Sequence, residues 1–155
     1  MNRRINVLNY YCFSSSGTIT YDPKKGKYFE PWWAILECDY EIIRYYNWLI
    51  LKEGIAIQKG SLWGAHITWI RGEEPLNKSL WGKYEALEIE FRYSNSLRYD
   101  NGRHVWLDVY CPNFNEMRAE LGLTPLRQMS LHLTIGRLVV QRENVKHLFN
   151  YYYDG

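Results

Sequence analysis

Cysteine is scarce in this chain. Cys12, Cys38 and Cys111 are odd in number and form no Cys-x-x-Cys pair, which excludes a disulfide framework and a cysteine-rich zinc site. They read as separate thiols of a cytoplasmic protein. No stretch nears the ~18 consecutive apolar residues of a membrane-spanning helix, so no membrane partner is expected. Met1-Asn2-Arg3-Arg4 has no apolar run behind it, so no secretory leader is expected either. Excess charge is also small: 19 basic against 17 acidic residues leave +2. A protein that follows long nucleic acid neutralises many phosphates and carries a larger basic surplus, so no long nucleic acid is expected as partner. The 5 prolines and 11 glycines mark turns without gathering into a linker. Residues 1–155 are therefore expected to form a single domain, large enough to bury a core, and to act as a monomer.

Aromatic residues are what the chain has in surplus: 14 Tyr, 7 Trp and 5 Phe. Many of these belong to a core. Bases also stack on aromatic faces for about 1–3 kcal/mol each. Abundant aromatics with little net charge fit a small nucleotide better than a long duplex.

Residues 5–13 alternate loosely and read as an edge strand, Ser14-Ser15-Ser16-Gly17 as a loop, and Thr18–Tyr21 as a short strand. Asp22-Pro23-Lys24-Lys25-Gly26-Lys27 is a basic turn. Trp32–Cys38 reads as a buried strand. Asp39 can cap a helix over 40–52, whose apolar residues Ile42, Ile43, Tyr46, Leu49 and Ile50 recur at helical spacing before Gly54. Strands are expected at 55–58 and 65–70, and a helix-like segment near 75–84. Leu87–Tyr93 alternates with period two. Asn101-Gly102 is a hairpin signal expected to join that strand to a partner over His104–Tyr110. Asn113 or Asn115 can cap a helix to about Leu121, and a helical or irregular tail containing His147 ends the chain. Strands and helices mixed in this order, with a hairpin beside each motif described next, predict an α+β fold of antiparallel character, two lobes folded as one unit.

One pattern occurs twice: His66-Ile67-Thr68 in Ala65–Ile70 and His132-Leu133-Thr134 in Leu131–Gly136. In a strand, residues two apart share a face, so each copy presents an imidazole beside a hydroxyl and turns its apolar neighbours to the core. A chain with only four histidines has little chance of repeating this by accident. The other two, His104 after the turn and His147 in the tail, read as ordinary surface residues.

The two motifs resemble those of the 2H phosphoesterase superfamily. Met129-Ser130-Leu131-His132-Leu133-Thr134-Ile135-Gly136-Arg137 is close to the family's second motif, and Phe114–Leu123 resembles the helix ahead of it. The resemblance covers residues 60–140. It implies a bilobal α+β fold, two antiparallel-rich sheets with flanking helices around a central cleft, with His66, Thr68, His132 and Thr134 as catalytic residues. Compact members of about this length include phage proteins that cleave cyclic oligonucleotide immune signals. A protein of that kind would work in the host cytoplasm.

Two imidazoles near one phosphate take different protonation states, because like charges repel. The neutral one accepts a proton from the attacking oxygen and the charged one supplies the leaving oxygen; which histidine does which is open. Thr68 and Thr134 would hold the non-bridging oxygens. No metal or other cofactor is called for, and the acidic residues have no metal-binding spacing. Trp106, Tyr21 and Trp63 are candidates for stacking on a base, with Trp32 and Trp33 behind them. Arg71 and Arg137 follow their histidines by the same interval and are candidates for phosphate contact just beyond the strand ends. Lys24, Lys25 and Lys27 are weaker ones. The expected substrate is a small cyclic nucleotide or oligonucleotide. The alternatives are an RNA-end 2′,3′-cyclic phosphodiesterase and a binding module that sequesters a nucleotide without turnover.

Overall fold

The computed structural model describes residues 7–60, 63–100 and 104–139. Within these the fold is α+β. A four-residue helix α1 (Val7–Tyr10) leads into strand β1 (Phe13–Tyr21), followed by β2 (Trp33–Cys38), helix α2 (Tyr40–Lys52), β3 (Ile57–Lys59) and β4 (His66–Arg71). After a single 3-10 turn at Lys78–Leu80 come β5 (Glu88–Tyr93), β6 (Arg98–Tyr99), β7 (His104–Tyr110), helix α3 (Asn113–Glu120) and β8 (His132–Leu138). Where two sheets were expected, the strands form one, because β5 pairs with β7 and joins the two groups, in the order β3-β8-β7-β5-β1-β2-β4, with β6 also on β7. Every pairing is antiparallel. Among the described residues no helix is long and apolar enough to cross a membrane.

The local reasons are conventional. Asp39 accepts the backbone N–H of Glu41 at 2.9 Å to start α2, Gly54 closes it at φ +78°, and Ile43, Tyr46 and Ile50 form its buried stripe. Trp33 to Leu36 are all buried, as suits a strand covered on both faces. The core continues through Ile19, Ile67, Phe91, Leu107, Phe114, Leu133 and Ile135. Trp69 stacks flat on Phe114, centroids 4.9 Å apart. Arg118, 2 % exposed, ties α3 to the segment after β4: it donates to the carbonyls of Trp69 and Thr124 and forms a bidentate pair with Glu73. That pair holds the Glu73 carboxyl below its ordinary pKa.

Several elements differ from the sequence reading. Residues 7–10 are helical, and the strand runs straight through Ser14–Gly17. The weak strand preference of serine is overridden because β1 is paired on both sides, to β5 and β2. Glycine is required at 17, since a Cβ would sit 2.6 Å from the Glu37 carbonyl. The segment 75–84 holds only the 3-10 turn, between Pro75 and Gly82, the latter at φ +86°. Neither Asn113 nor Asn115 caps α3; Pro112 precedes it, and Asn115 Oδ1 accepts the N–H of Leu126. β7 meets β5 only at Tyr93↔Val109 and Arg92↔Tyr110, and β6 is its hairpin partner. The Asn101-Gly102 turn and the tail with His147 lie outside the described residues.

The topology has one consequence for function. Five strand-to-strand steps separate β4 from β8, about 24 Å in a flat sheet at ~4.8 Å per step. Yet the two strands have Cα atoms within 8 Å of each other without pairing. The sheet is therefore folded back so that its two motif-bearing strands meet.

Candidate active site

In β4 the buried side chains are Ile67, Trp69 and Ile70, while His66 and Thr68 are part-exposed. In β8, Leu133, Ile135, Gly136 and Leu138 are buried, and His132 and Thr134 face the other way. The pairing registers add something periodicity alone does not contain. Ala34 pairs with Ile70 but Ile35 pairs with Thr68, so Trp69 is an extra residue in β4. Val105 pairs with Gly136 but Trp106 pairs with Thr134, so Ile135 is an extra residue in β8. Each strand thus carries a β-bulge at the third residue after its histidine. A bulge reverses the alternation. Arg71 and Arg137, an odd five positions after His66 and His132, are thereby turned onto the same faces as the histidines and threonines. The earlier expectation that they lie beyond the strand ends is corrected: Arg71 is the last residue of β4 and Arg137 lies inside β8.

The two halves match in further detail. Directly across the ladder from His66 is Glu37, and across from His132 is Asp108. A tryptophan stands beside each imidazole: Trp33 meets His66 edge-on at 6.1 Å, and Trp106 lies against His132 at 5.6 Å. A guanidinium covers each tryptophan, Arg71 over Trp33 at 5.3 Å and Arg98 over Trp106 at 5.5 Å.

Where the strands converge there is a cavity of about 450 Å³, bordered by Trp33, Gln58, Gly60, Trp63, His66, Arg71, His104, Thr134, Gly136 and Arg137. Among the described residues its walls hold two guanidiniums and two imidazoles and no carboxylate. Two other cavities, of about 360 and 460 Å³, are bordered by no histidine among the described residues. Thr68 and His132 are not walls of the central cavity. Thr68 Oγ1 accepts the indole N–H of the wall residue Trp33 at 3.1 Å, which leaves its own O–H to donate. His132 is two residues from Thr134 on the same face of β8.

His66 Nδ1 lies 3.2 Å from the Gly64 carbonyl. A carbonyl only accepts, so Nδ1 carries the proton and Nε2 of the neutral ring keeps its lone pair. Burial holds the His66 imidazole below its ordinary value of 6.5, and Arg71 pushes the same way; the Gly64 bond and Glu37 oppose them. His132 is also held below 6.5. Its ring is exposed by area on one side, but the protein mass behind it makes desolvation the first cause. Arg98 acts in the same direction, and Asp108 and Asp100 oppose. Asp108 is fully buried and accepts from Arg98 Nη1 (2.9 Å), the Tyr10 hydroxyl (2.6 Å) and the Trp106 indole (3.1 Å).

Tyr21, a stacking candidate from sequence, is corrected to a core residue: it packs on Trp69 and Trp81, and burial pushes its phenol up to about 12. Trp32 packs on Trp81 as well. Trp63 borders the cavity, stacked edge-on to Trp33 at 4.8 Å; Trp106 touches His132 without bordering it. His104, read as an ordinary surface residue, is a wall. Gln58, Tyr28 and Glu30 were not foreseen; nothing local marks them, because the fold brings them in from other strands and loops. Among the described residues no group of three His, Cys, Asp or Glu side chains is placed to hold a metal ion. Comparisons with protein-family models, curated proteins and solved structures found no match for this chain.

Proposed function

We propose that this protein is a metal-independent phosphodiesterase of the paired-histidine kind, related in design to the 2H phosphoesterases, acting on a small cyclic nucleotide or oligonucleotide. The observation that carries the reading is the pair of His-x-Thr-x-x-Arg strands, each bulged at the same position, meeting around one cation-lined cavity. Two arginines suit the non-bridging oxygens of a phosphodiester, which they can grip as forks. Trp63, part-exposed on the cavity wall, offers a surface for a base, with the buried Trp33 behind it. A cavity of about 450 Å³ is within the ordinary range for small ligands, ~300–1,000 Å³, and has no room for a duplex.

In the reaction, one neutral imidazole takes a proton from the attacking oxygen, which is water or a ribose 2′-hydroxyl. That oxygen bonds to phosphorus, the opposite P–O ester bond breaks, and the second, protonated imidazole gives its proton to the departing oxygen. Thr68 and Thr134 donate to the phosphoryl oxygens, and Arg71 and Arg137 balance the charge that builds there. The chain's small size, aromatic surplus and modest charge are similar to those of the phage members of that superfamily, and by that analogy the substrate is a host antiviral signal.

The test is turnover of a panel of cyclic di- and trinucleotides and 2′,3′-cyclic mononucleotides in the presence of EDTA. Cleavage that survives the chelator is expected. Tight binding of one ligand with no cleavage of any would replace the enzyme by a nucleotide-sequestering module.

A further inference from the structure

The half-site around Arg71 is already occupied by the chain itself. The loop from Asp22 to Trp32 turns at Lys25 and Tyr28, which form an isolated bridge, and then lays two side chains against walls of the cavity. Glu30 grips Arg71 as a fork, Oε1 to Nε at 2.9 Å and Oε2 to Nη2 at 3.1 Å. The Tyr28 ring, half-exposed, packs on Trp63 at 5.5 Å with the planes tilted by 57° and meets Trp33 edge-on at 6.5 Å. Its hydroxyl donates to Glu30 Oε2 at 3.1 Å, joining the two into one unit.

A bidentate carboxylate on a guanidinium has the geometry of a phosphate on the same group. An aromatic ring packed against two indoles, tilted on one and edge-on to the other, fills the space where a base would pack. We infer that Tyr28 and Glu30 form an internal nucleotide mimic, with the phenol in the place of a base and the carboxylate in the place of a phosphate, and that an entering nucleotide must displace them. The two residues are therefore specificity determinants. A ligand that brings only a phosphate competes with Glu30 but not with Tyr28, and a ligand that brings only a base does the reverse. A nucleotide displaces both at once. The assignment of ligand class rests on the reading of the cavity as a nucleotide phosphodiester site.

The test is equilibrium binding of inorganic phosphate and of 3′-AMP, measured by calorimetry, so that it does not depend on turnover. Glu30→Gln keeps the shape of the side chain and removes the competing charge; phosphate is expected to bind about threefold to fivefold tighter, the range of an exposed ion pair. Tyr28→Ala combined with Glu30→Gln is expected to tighten 3′-AMP about tenfold. In an Arg71→Ala background Glu30→Gln should give no gain, which a general change in folding or surface charge would not reproduce. Unchanged or weaker binding by Glu30→Gln overturns the inference, as does failure of every variant to bind either probe. Tightened binding together with absent cleavage of the cyclic-nucleotide panel would uphold the mimic and reject the reaction.

Discussion

Replacing Asp108 by Asn removes one charge from the most densely bonded polar group under the site. Asp108 has no exposed surface and accepts from Arg98, Tyr10 and Trp106. The Arg98 side chain that pairs with it is itself only 10 % exposed. The amide cannot neutralise the guanidinium, and its NH2 group points a donor at other donors. Removing one partner of a buried pair costs about 3–5 kcal/mol, because the other charge stays desolvated. Arg98 has further contacts, which favours the lower end, about 3 kcal/mol. With a urea m-value of ~1.5 kcal/mol/M, the unfolding midpoint should drop by about 2 M. Tryptophan fluorescence in a urea titration reads this directly. Asp108→Leu with Arg98→Met should recover much of the loss, since an apolar pair of similar size carries no desolvation cost. A midpoint shift below about 0.5 M for Asp108→Asn would refute the reasoning and reduce the pair to the worth of a surface ion pair.

Three more outcomes are expected from the same structure. Because both His66 and His132 are held below 6.5, kcat/KM for the proposed phosphodiester cleavage should peak on the acid side of pH 6.5; an optimum above 7.5 would contradict the assignment. The same shifts make the unfolded chain bind more protons than the native one, so stability falls as pH drops from 6.5 toward the depressed native values, which pH-dependent melts can follow. Gly136→Ala puts a Cβ 2.4 Å from the Gln58 carbonyl and 3.0 Å from the Ile57 side chain. It should cost about 1–3 kcal/mol and weaken ligand binding by pushing Gln58 and Gly60 out of the cavity wall; an unchanged denaturation midpoint would contradict this.

What the sequence made legible was whatever depends on alternation along one strand. His66 and Thr68, and His132 and Thr134, share faces because residues two apart must. The caps of α2 were equally local. The bulges at Trp69 and Ile135 were not legible, since a bulge is defined by the partner strand, and the partners β2 and β7 are distant in the chain. The repeated interval from histidine to arginine was its one visible trace. Ser14–Gly17 looked like a loop because serine and glycine favour turns, and only pairing on both sides makes it a strand. Tyr21 and Trp63 carry the same kind of side chain; the fold alone sends one to the core and the other to the cavity. Tyr28 and Glu30 reach the site through loop geometry, and Asp108 gathers Tyr10 from 98 residues away.

The proposed chemistry needs His66 and His132 acting together, and the most direct measurement is the single-turnover rate of His66→Ala, His132→Ala and the double variant on the best-cleaved cyclic nucleotide. Proton transfer at each position contributes on the order of 10²–10⁴-fold, so each single variant should lose at least a hundredfold. The double variant should lose far less than the product of the two, because one missing proton transfer already disables the pair. If either histidine can be removed with less than a fivefold loss, the paired-histidine site is not the seat of the chemistry.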